Sequence, residues 1–212
     1  MITVLYQDKS IIVCLKPPGL LSQAGPGEDI LQLLGSQESC TLFPVHRLDR
    51  GVGGVMVFAK TAKAAAALSA AIQSGGFGKE YLCVVRGAPA QESGVYKDLL
   101  LHDKGRNKTF VVDRMRGGVK EASLEYRVLE KNDAHSLVRV KLHTGRTHQI
   151  RVQFASRKTP LVGDGKYGGG SGEISLWSFH LVFPHPVSGK EMDFSHLPEG
   201  GIWEEFPLLN LI

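Results

Sequence analysis

Short apolar runs alternate with glycine- and proline-marked breaks along the chain, and the period of the apolar positions sorts the runs into strands and helices. Residues 4–6 and 11–15 predict two short strands across a turn at Gln7-Asp8-Lys9-Ser10. Lys16-Pro17-Pro18-Gly19 ends the second, because proline lacks the N–H that a central strand needs. Residues 20–29 predict a surface loop, 30–34 a short helix and 55–59 a buried strand. Thr61 is an N-cap residue for the alanine-rich helix predicted over 62–74, with Ala66, Leu68 and Ala70 facing a sheet. Residues 79–87 and 95–101 predict further strands, and 122–129 and 136–142 alternate as an antiparallel hairpin about Asn132-Asp133. Thr147 is placed to cap a helix running to Ser156. The glycine loop over 163–170 matches neither the P-loop nor the dinucleotide spacing. A last strand over 175–183 turns at 184–189 and returns over 190–194. Hairpins outnumber helices, so the expected fold class is α+β: a mainly antiparallel mixed sheet flanked by a few helices. One domain is expected across residues 1–212.

One stretch stands out against this pattern. His46-Arg47-Leu48-Asp49-Arg50 sets a histidine and three charges before Gly51-Val52-Gly53-Gly54 and the apolar run that follows. If residues 46–49 are extended, Arg47 and Asp49 share one face and Leu48 points the other way, into a core. The glycines supply a tight bend, which exposes one carboxylate against a rigid support.

Composition narrows the function classes. The 212 residues are 42% hydrophobic and 22% charged, ordinary for a globular protein. No apolar run reaches the ~18 residues of a membrane span, and the N-terminus carries no basic region followed by an apolar stretch, so neither membrane nor signal peptide is expected. Cys14, Cys40 and Cys83 are odd in number and form no C-x-x-C pair, which fits reduced thiols in a cytoplasm. No two histidines show the H-x-x-x-H spacing with a carboxylate that a zinc hydrolase displays, so no metal is expected. Net charge is +4 and the isoelectric point near 9.0, with lysine and arginine dense over 104–120 and again at Arg146, Arg151, Arg157 and Lys158. Basic residues interleaved with glycine suit contact with a phosphate backbone.

Two motifs then fall together: His46-Arg47-Leu48-Asp49, and Thr144-Gly145-Arg146-Thr147-His148-Gln149-Ile150-Arg151, with Lys79-Glu80-Tyr81 between them. With these the chain resembles the RluA-like branch of RNA pseudouridine synthases. The resemblance begins at Asp8-Lys9 and Lys16-Pro17-Pro18-Gly19, and continues through Gly163-Asp164 and Tyr167-Gly168 to Leu181-Val182-Phe183-Pro184-His185-Pro186. His46 favours this branch over the RsuA-like one, where glycine is usual. The resemblance implies a catalytic domain with a central cleft, no preceding S4-type domain, and the isomerisation of uridine to pseudouridine in ribosomal or transfer RNA. It implies that Asp49 is the essential carboxylate, that Tyr81 stacks on the target base, that Arg151 pairs with Asp49 and that Ile150 lines the pocket. Arg47 corresponds to the arginine that enters the RNA helix as the base leaves. His46, Arg146 and Lys16 complete the expected substrate contacts, Lys16 through phosphate. The chain departs from the family where Thr-Ser is usual, at Val52 and Gly53, and at Cys83, where alanine is common.

The chemistry suits these residue types. The reaction is redox-neutral and adds no group, so no cofactor is expected. A carboxylate acts as nucleophile at carbon or base at a sugar proton, and a neighbouring guanidinium favours its ionised form. A flipped uridine costs a few kcal/mol, of which aromatic stacking returns roughly 1–3 kcal/mol. The contrasting reading is a non-catalytic RNA-binding module or chaperone, motivated by Val52 and Gly53. A weaker one is a glycosidase with Asp164 as second acid. A monomer is the default oligomeric state.

Overall fold

The computed structural model describes residues 1–211, which divide into two compact units, Met1–Lys79 with Trp177–Pro198, and Glu80–Leu176 with the residues from Glu199 onward. The first unit contains β1 (Thr3–Gln7), β2 (Ile11–Lys16), α1 (Ile30–Gln37), β3 (Phe43–Pro44), β4 (Gly53–Ala59) and α2 (Ala62–Gln73). β10 (Leu176–Pro184) and β11 (Glu191–Ser195) return to it from the far end of the chain. Here β1, β2, β4 and β10 lie in that order, with β3 also on β4 and β11 on β10. All of these pairs are antiparallel except β4 with β10.

β4 is buried at every position, as a central strand must be when both of its faces are covered. One face receives α2 through Ala64 and Leu68, packed among Val55, Val57, Leu181 and Phe183. The sequence placed Ala66 and Ala70 on that face, but both are exposed. Ala64 and Leu68 are four apart and so stack on one side of the helix, whereas position 66 is rotated about 200° from position 64. Thr61 caps α2 as expected, its hydroxyl accepting from the Ala64 amide at 3.1 Å. His185 Nε2 meets Asp8 Oδ2 at 2.8 Å and ties the β1–β2 turn to the β10–β11 turn.

The second unit runs β5 (Gly78–Arg86), β9 (His135–Leu142), β8 (Val119–Lys131), β6 (Ser93–Asp103) and β7 (Lys108–Val112) as an antiparallel series. The basic stretch over 104–120 is therefore the β6–β7 hairpin and the connection into β8. α3 (Gln149–Ala155) carries Phe154 against Tyr96 and Tyr126, at ring separations of 5.2 and 5.7 Å. Two 3₁₀ turns, Gly201–Glu205 and Pro207–Leu211, went unpredicted. Glu205 anchors the first by taking hydrogen bonds from Asn132 and His135 at 3.0 Å each. With three α-helices among the described residues and mainly antiparallel strands, the α+β expectation holds.

Two glycines open β4 because no side chain fits there. A Cβ on Gly53 would stand 2.3 Å from a Trp177 ring carbon, and one on Gly54 would stand 2.2 Å from the Ser178 carbonyl oxygen. Gly54 also has φ of +121°, a conformation other residues rarely adopt. Gly54→Ala is expected to cost about 3 kcal/mol or more of stability, through backbone strain plus the clash. Urea denaturation measures it, and an unchanged midpoint would contradict this account of the strand opening.

Candidate active site

In the first unit, Asp49 is half-buried in a bend between β3 and β4, outside any regular strand. The alternation predicted for this segment holds: Arg47 is exposed, Leu48 buried and Asp49 half-buried. The bend does not rest on its glycines, since of Gly51, Gly53 and Gly54 only Gly54 has positive φ. It is held by one bond of its own and by partners outside it. The Val52 amide donates to Asp49 O at 3.0 Å. Ser22 Oγ donates to Leu48 O and accepts from the Leu48 amide at 3.0 Å. Arg50 Nε donates to Gly19 O at 2.8 Å, and the Gly19 amide donates to Arg50 O at 2.8 Å.

Beneath this lies Lys16, which corrects the sequence reading. It was expected on RNA phosphate, yet it has no exposed surface. Its Nζ donates to the carbonyls of Val52 at 2.8 Å, Pro17 at 3.0 Å and Arg50 at 3.2 Å. An ammonium has three donors, and all three are accounted for inside the protein. Burial lowers its pKa to about 8, and the opposing charge of Asp49 limits the fall. Lys16 is a brace under the Asp49 bend.

His46 also has a protein partner: its Nε2 accepts from the Val57 amide at 3.2 Å, and its ring lies 5.5 Å from that of Phe77. Burial, with the Lys79 ammonium adding to it, holds the imidazole neutral, well below the ordinary histidine value. The departures at positions 52 and 53 are accommodated here. Val52 is buried and offers its carbonyl to Lys16, while Gly53 leaves room for the Trp177 ring.

In the second unit, Tyr81 is buried in β5 opposite Val140. Ile150 and Arg151 are buried on α3. Arg151 donates through Nε and Nη2 to the two oxygens of Asp164 at 2.7 and 2.8 Å, a two-pronged ion pair. The sequence reading did not supply this partner. A lone arginine on a helix that buries six of its seven residues needs an acid, and Asp164 in the nearby glycine loop was the signal available. Because both Asp164 oxygens are engaged by Arg151, Asp164 is not available as the second acid of a glycosidase. Tyr167 completes the setting. The Arg151 guanidinium lies 5.2 Å from its ring centroid, and its hydroxyl meets the Thr109 amide at 2.7 Å and His148 Nδ1 at 3.0 Å.

α3 starts one residue later than a cap at Thr147 implies. His148, not Thr147, stands at the N-cap with φ of 55°, and it makes no side-chain cap bond. Thr147 O instead accepts from Thr109 Oγ1 at 2.8 Å. Gln149 reaches back over the helix start, its Oε1 accepting from the Arg146 amide at 3.0 Å and the Thr144 hydroxyl at 2.8 Å. Arg146 itself donates through Nε to Glu121 O at 2.9 Å.

With this geometry in view, comparison with known proteins gives a consistent answer. The family model for RNA pseudouridylate synthase matches residues 10–156. Ribosomal large subunit pseudouridine synthase D of Xanthomonas campestris is 35% identical over 89% of this chain and 63% of its own length. The protein of the same name from Pseudomonas aeruginosa is 35% identical over 94% of this chain and 69% of its own. A solved structure, human RNA pseudouridylate synthase domain containing 4, superposes with a TM-score of 0.76 at 22% identity, covering 95% of this chain and 89% of that one, a likeness of fold. The chain belongs to the RNA pseudouridylate synthase family, in its RluA-like branch. It spans about two thirds of the length of these two curated relatives. Among the described residues no helix is long and apolar enough to cross a membrane.

The Lys16 brace predicts a pH dependence with a definite sign. Its pKa in the fold lies below the usual lysine value of 10.5, so between about 8 and 10.5 the unfolded chain binds more protons. Stability from this group therefore rises with pH across that window, by about 3 kcal/mol in all. Lys16→Met removes that contribution. Urea denaturation of both forms at intervals from pH 7 to 10.5 measures it, and parallel pH slopes would exclude a depressed Lys16.

Proposed function

We propose that this chain isomerises uridine to pseudouridine in RNA, with Asp49 as the carboxylate that begins the reaction. What carries the reading is Asp49 in a bend braced by a buried lysine, in a chain matched to the RNA pseudouridylate synthase family. A group that must meet one carbon of a flipped nucleotide needs that degree of fixation, since small misplacements cost large factors in rate. Tyr81 is assigned to stacking on the base, Ile150 to lining the pocket and Arg151 to pairing with the Asp49 carboxylate, all carried over from the family. Arg151 arrives with its guanidinium plane already oriented by Asp164. Arg47, exposed beside Asp49, is assigned to the place the base vacates. No cofactor enters the scheme, because the bond broken to the base nitrogen and the bond formed to the base carbon balance without an oxidant or reductant.

The substrate we propose is ribosomal RNA of the large subunit, following the names of the bacterial relatives, and the cytoplasm is the compartment we propose for the reaction. The basic β6–β7 hairpin and the connection after it supply the phosphate-contacting surface: Lys104, Arg106, Arg114, Arg116 and Lys120 are all exposed. The alternative of a non-catalytic RNA-binding module keeps only part of its motive, since the Trp177 ring gives Gly53 a packing reason.

Asp49→Asn is expected to keep the fold and RNA affinity while abolishing tritium release from RNA labelled at uridine C5. Wild-type release from that variant would exclude Asp49 as the reacting group. Binding by the unaltered protein with no release from any RNA would favour the binding module. Replacing Arg114 and Arg116 together by glutamine is expected to flatten the salt dependence of RNA binding by about two units of log–log slope. An unchanged slope from a binding titration between low and moderate salt would move the phosphate contacts elsewhere.

A further inference from the structure

The edge of β4 opposite β2 is hydrogen-bonded in four separate pieces. β10 pairs with Gly53 and Gly54, and β3 pairs with Phe58 and Ala59. Between them no strand among the described residues continues the ladder, and two side chains stand in its place. Ser178 Oγ donates to Val55 O at 3.1 Å, and His46 Nε2 accepts from the Val57 amide at 3.2 Å. Val55 and Val57 have no exposed surface, so their backbone groups need partners inside the protein. An unpaired buried amide is costly, and here an imidazole replaces a neighbouring strand's carbonyl.

The consequence concerns Asp49. His46 and Val57 stand at the two ends of the excursion that contains it, eleven residues apart. His46 opens the segment leading to Asp49, and the carbonyls of Arg50 and Val52, just beyond it, are held by Lys16. We propose that His46 is a positioning residue: its neutral imidazole, protonated at Nδ1, latches the start of the Arg47–Asp49 segment onto β4 and so fixes where the carboxylate stands. This rests on Asp49 being the reacting carboxylate, and it removes His46 from the expected substrate contacts. The tautomer follows from the bond itself, because a nitrogen that accepts from an amide carries no proton. The surroundings keep it so. The Phe77 ring lies 5.5 Å away and the Lys79 ammonium 5.0 Å from that same ring, so the imidazole is enclosed with a positive charge near it. A protonated imidazole would turn an N–H toward the Val57 N–H and open the latch.

Three measurements test this, two of which do not depend on activity. In the unaltered protein, nitrogen-15 spectra of His46 should show a bare Nε2 and a protonated Nδ1; the opposite tautomer would overturn the proposal. In His46→Phe, which keeps a flat ring without the acceptor, amide exchange at Val57 should quicken by about tenfold or more, while exchange elsewhere in β4 changes little. Unchanged protection at Val57 would overturn the proposal whether or not the protein is an enzyme. In the uridine assay His46→Phe should lower kcat by about tenfold to a hundredfold with KM little changed, and His46→Gln, which restores an acceptor, should recover much of that loss. A rise in KM at wild-type kcat would return His46 to the substrate contacts. If no RNA is turned over by the unaltered protein, the function proposed above fails, and the exchange and tautomer results still decide the latch.

Discussion

A lysine ammonium with no access to water lies where three backbone carbonyls converge, and the position of Asp49 follows from that convergence. Removing an ammonium from water is expensive, and it persists in a fold when its donors are satisfied, with a nearby opposite charge lowering the cost further. Pro17, Arg50 and Val52 supply the acceptors and Asp49 the charge. The dependence runs both ways. Lys16 is tolerable there because the bend brings those carbonyls and that carboxylate to it, and the bend cannot shift without leaving a buried cation unpaired. Loops are ordinarily the least constrained part of a fold. This one is tied down by Lys16, Ser22 and Gly19 without having a strand's partners.

The need to satisfy the buried backbone groups of β4 also explains why the first unit carries both a complete core and an irregular edge. A full-length partner beside β4 would have satisfied Val55 and Val57 by main-chain bonds, but the chain leading into β4 would then have had to run along it. Instead β3 stops after two residues, the chain leaves with His46 turned back onto β4, and Asp49 stands clear of the sheet. β10 fills the other end only because Gly53 and Gly54 allow Trp177 and the Ser178 backbone to approach within the space of a missing Cβ. Gly53 therefore answers to Trp177, more than a hundred residues away.

That distance marks what the sequence makes legible. Strand and helix existence came through from periodicity and caps: Thr61 caps α2, the alternation of residues 47 to 49 holds, and the β8–β9 hairpin turns at Asn132-Asp133. Local signals fix these. The start of α3 was misread because Thr147 has the chemistry of a cap, yet its carbonyl is engaged by Thr109 from another strand and His148 takes a left-handed conformation. Lys16 was misread for a similar reason. A lysine beside Pro-Pro-Gly looks like a surface cation, and only the fold reveals the carbonyls of Arg50 and Val52, more than thirty residues on, that take it inside. The bonds that Lys16, His46 and Arg151 make were not legible, because Arg50, Val52, Val57 and Asp164 each lie eleven or more residues away.

Arg151 shows the same logic from the second unit, with a different balance. A buried arginine and aspartate are not a strong source of stability, since desolvation offsets most of their attraction. What the pair gives is direction. Asp164 grips the Nε and Nη2 edge, and the Tyr167 ring lies within 5.2 Å of the guanidinium carbon, so the group cannot rotate without losing two charge-assisted hydrogen bonds. Tyr167 is itself fixed by Thr109 and His148, which ties the orientation of one guanidinium to β7, to the helix start and to the glycine loop. A lysine at position 151 would keep the charge and lose the plane. The glycine loop that matches no nucleotide motif thus has a physical role of its own. It carries Asp164 and Tyr167 to one arginine from a direction that the helix alone could not supply.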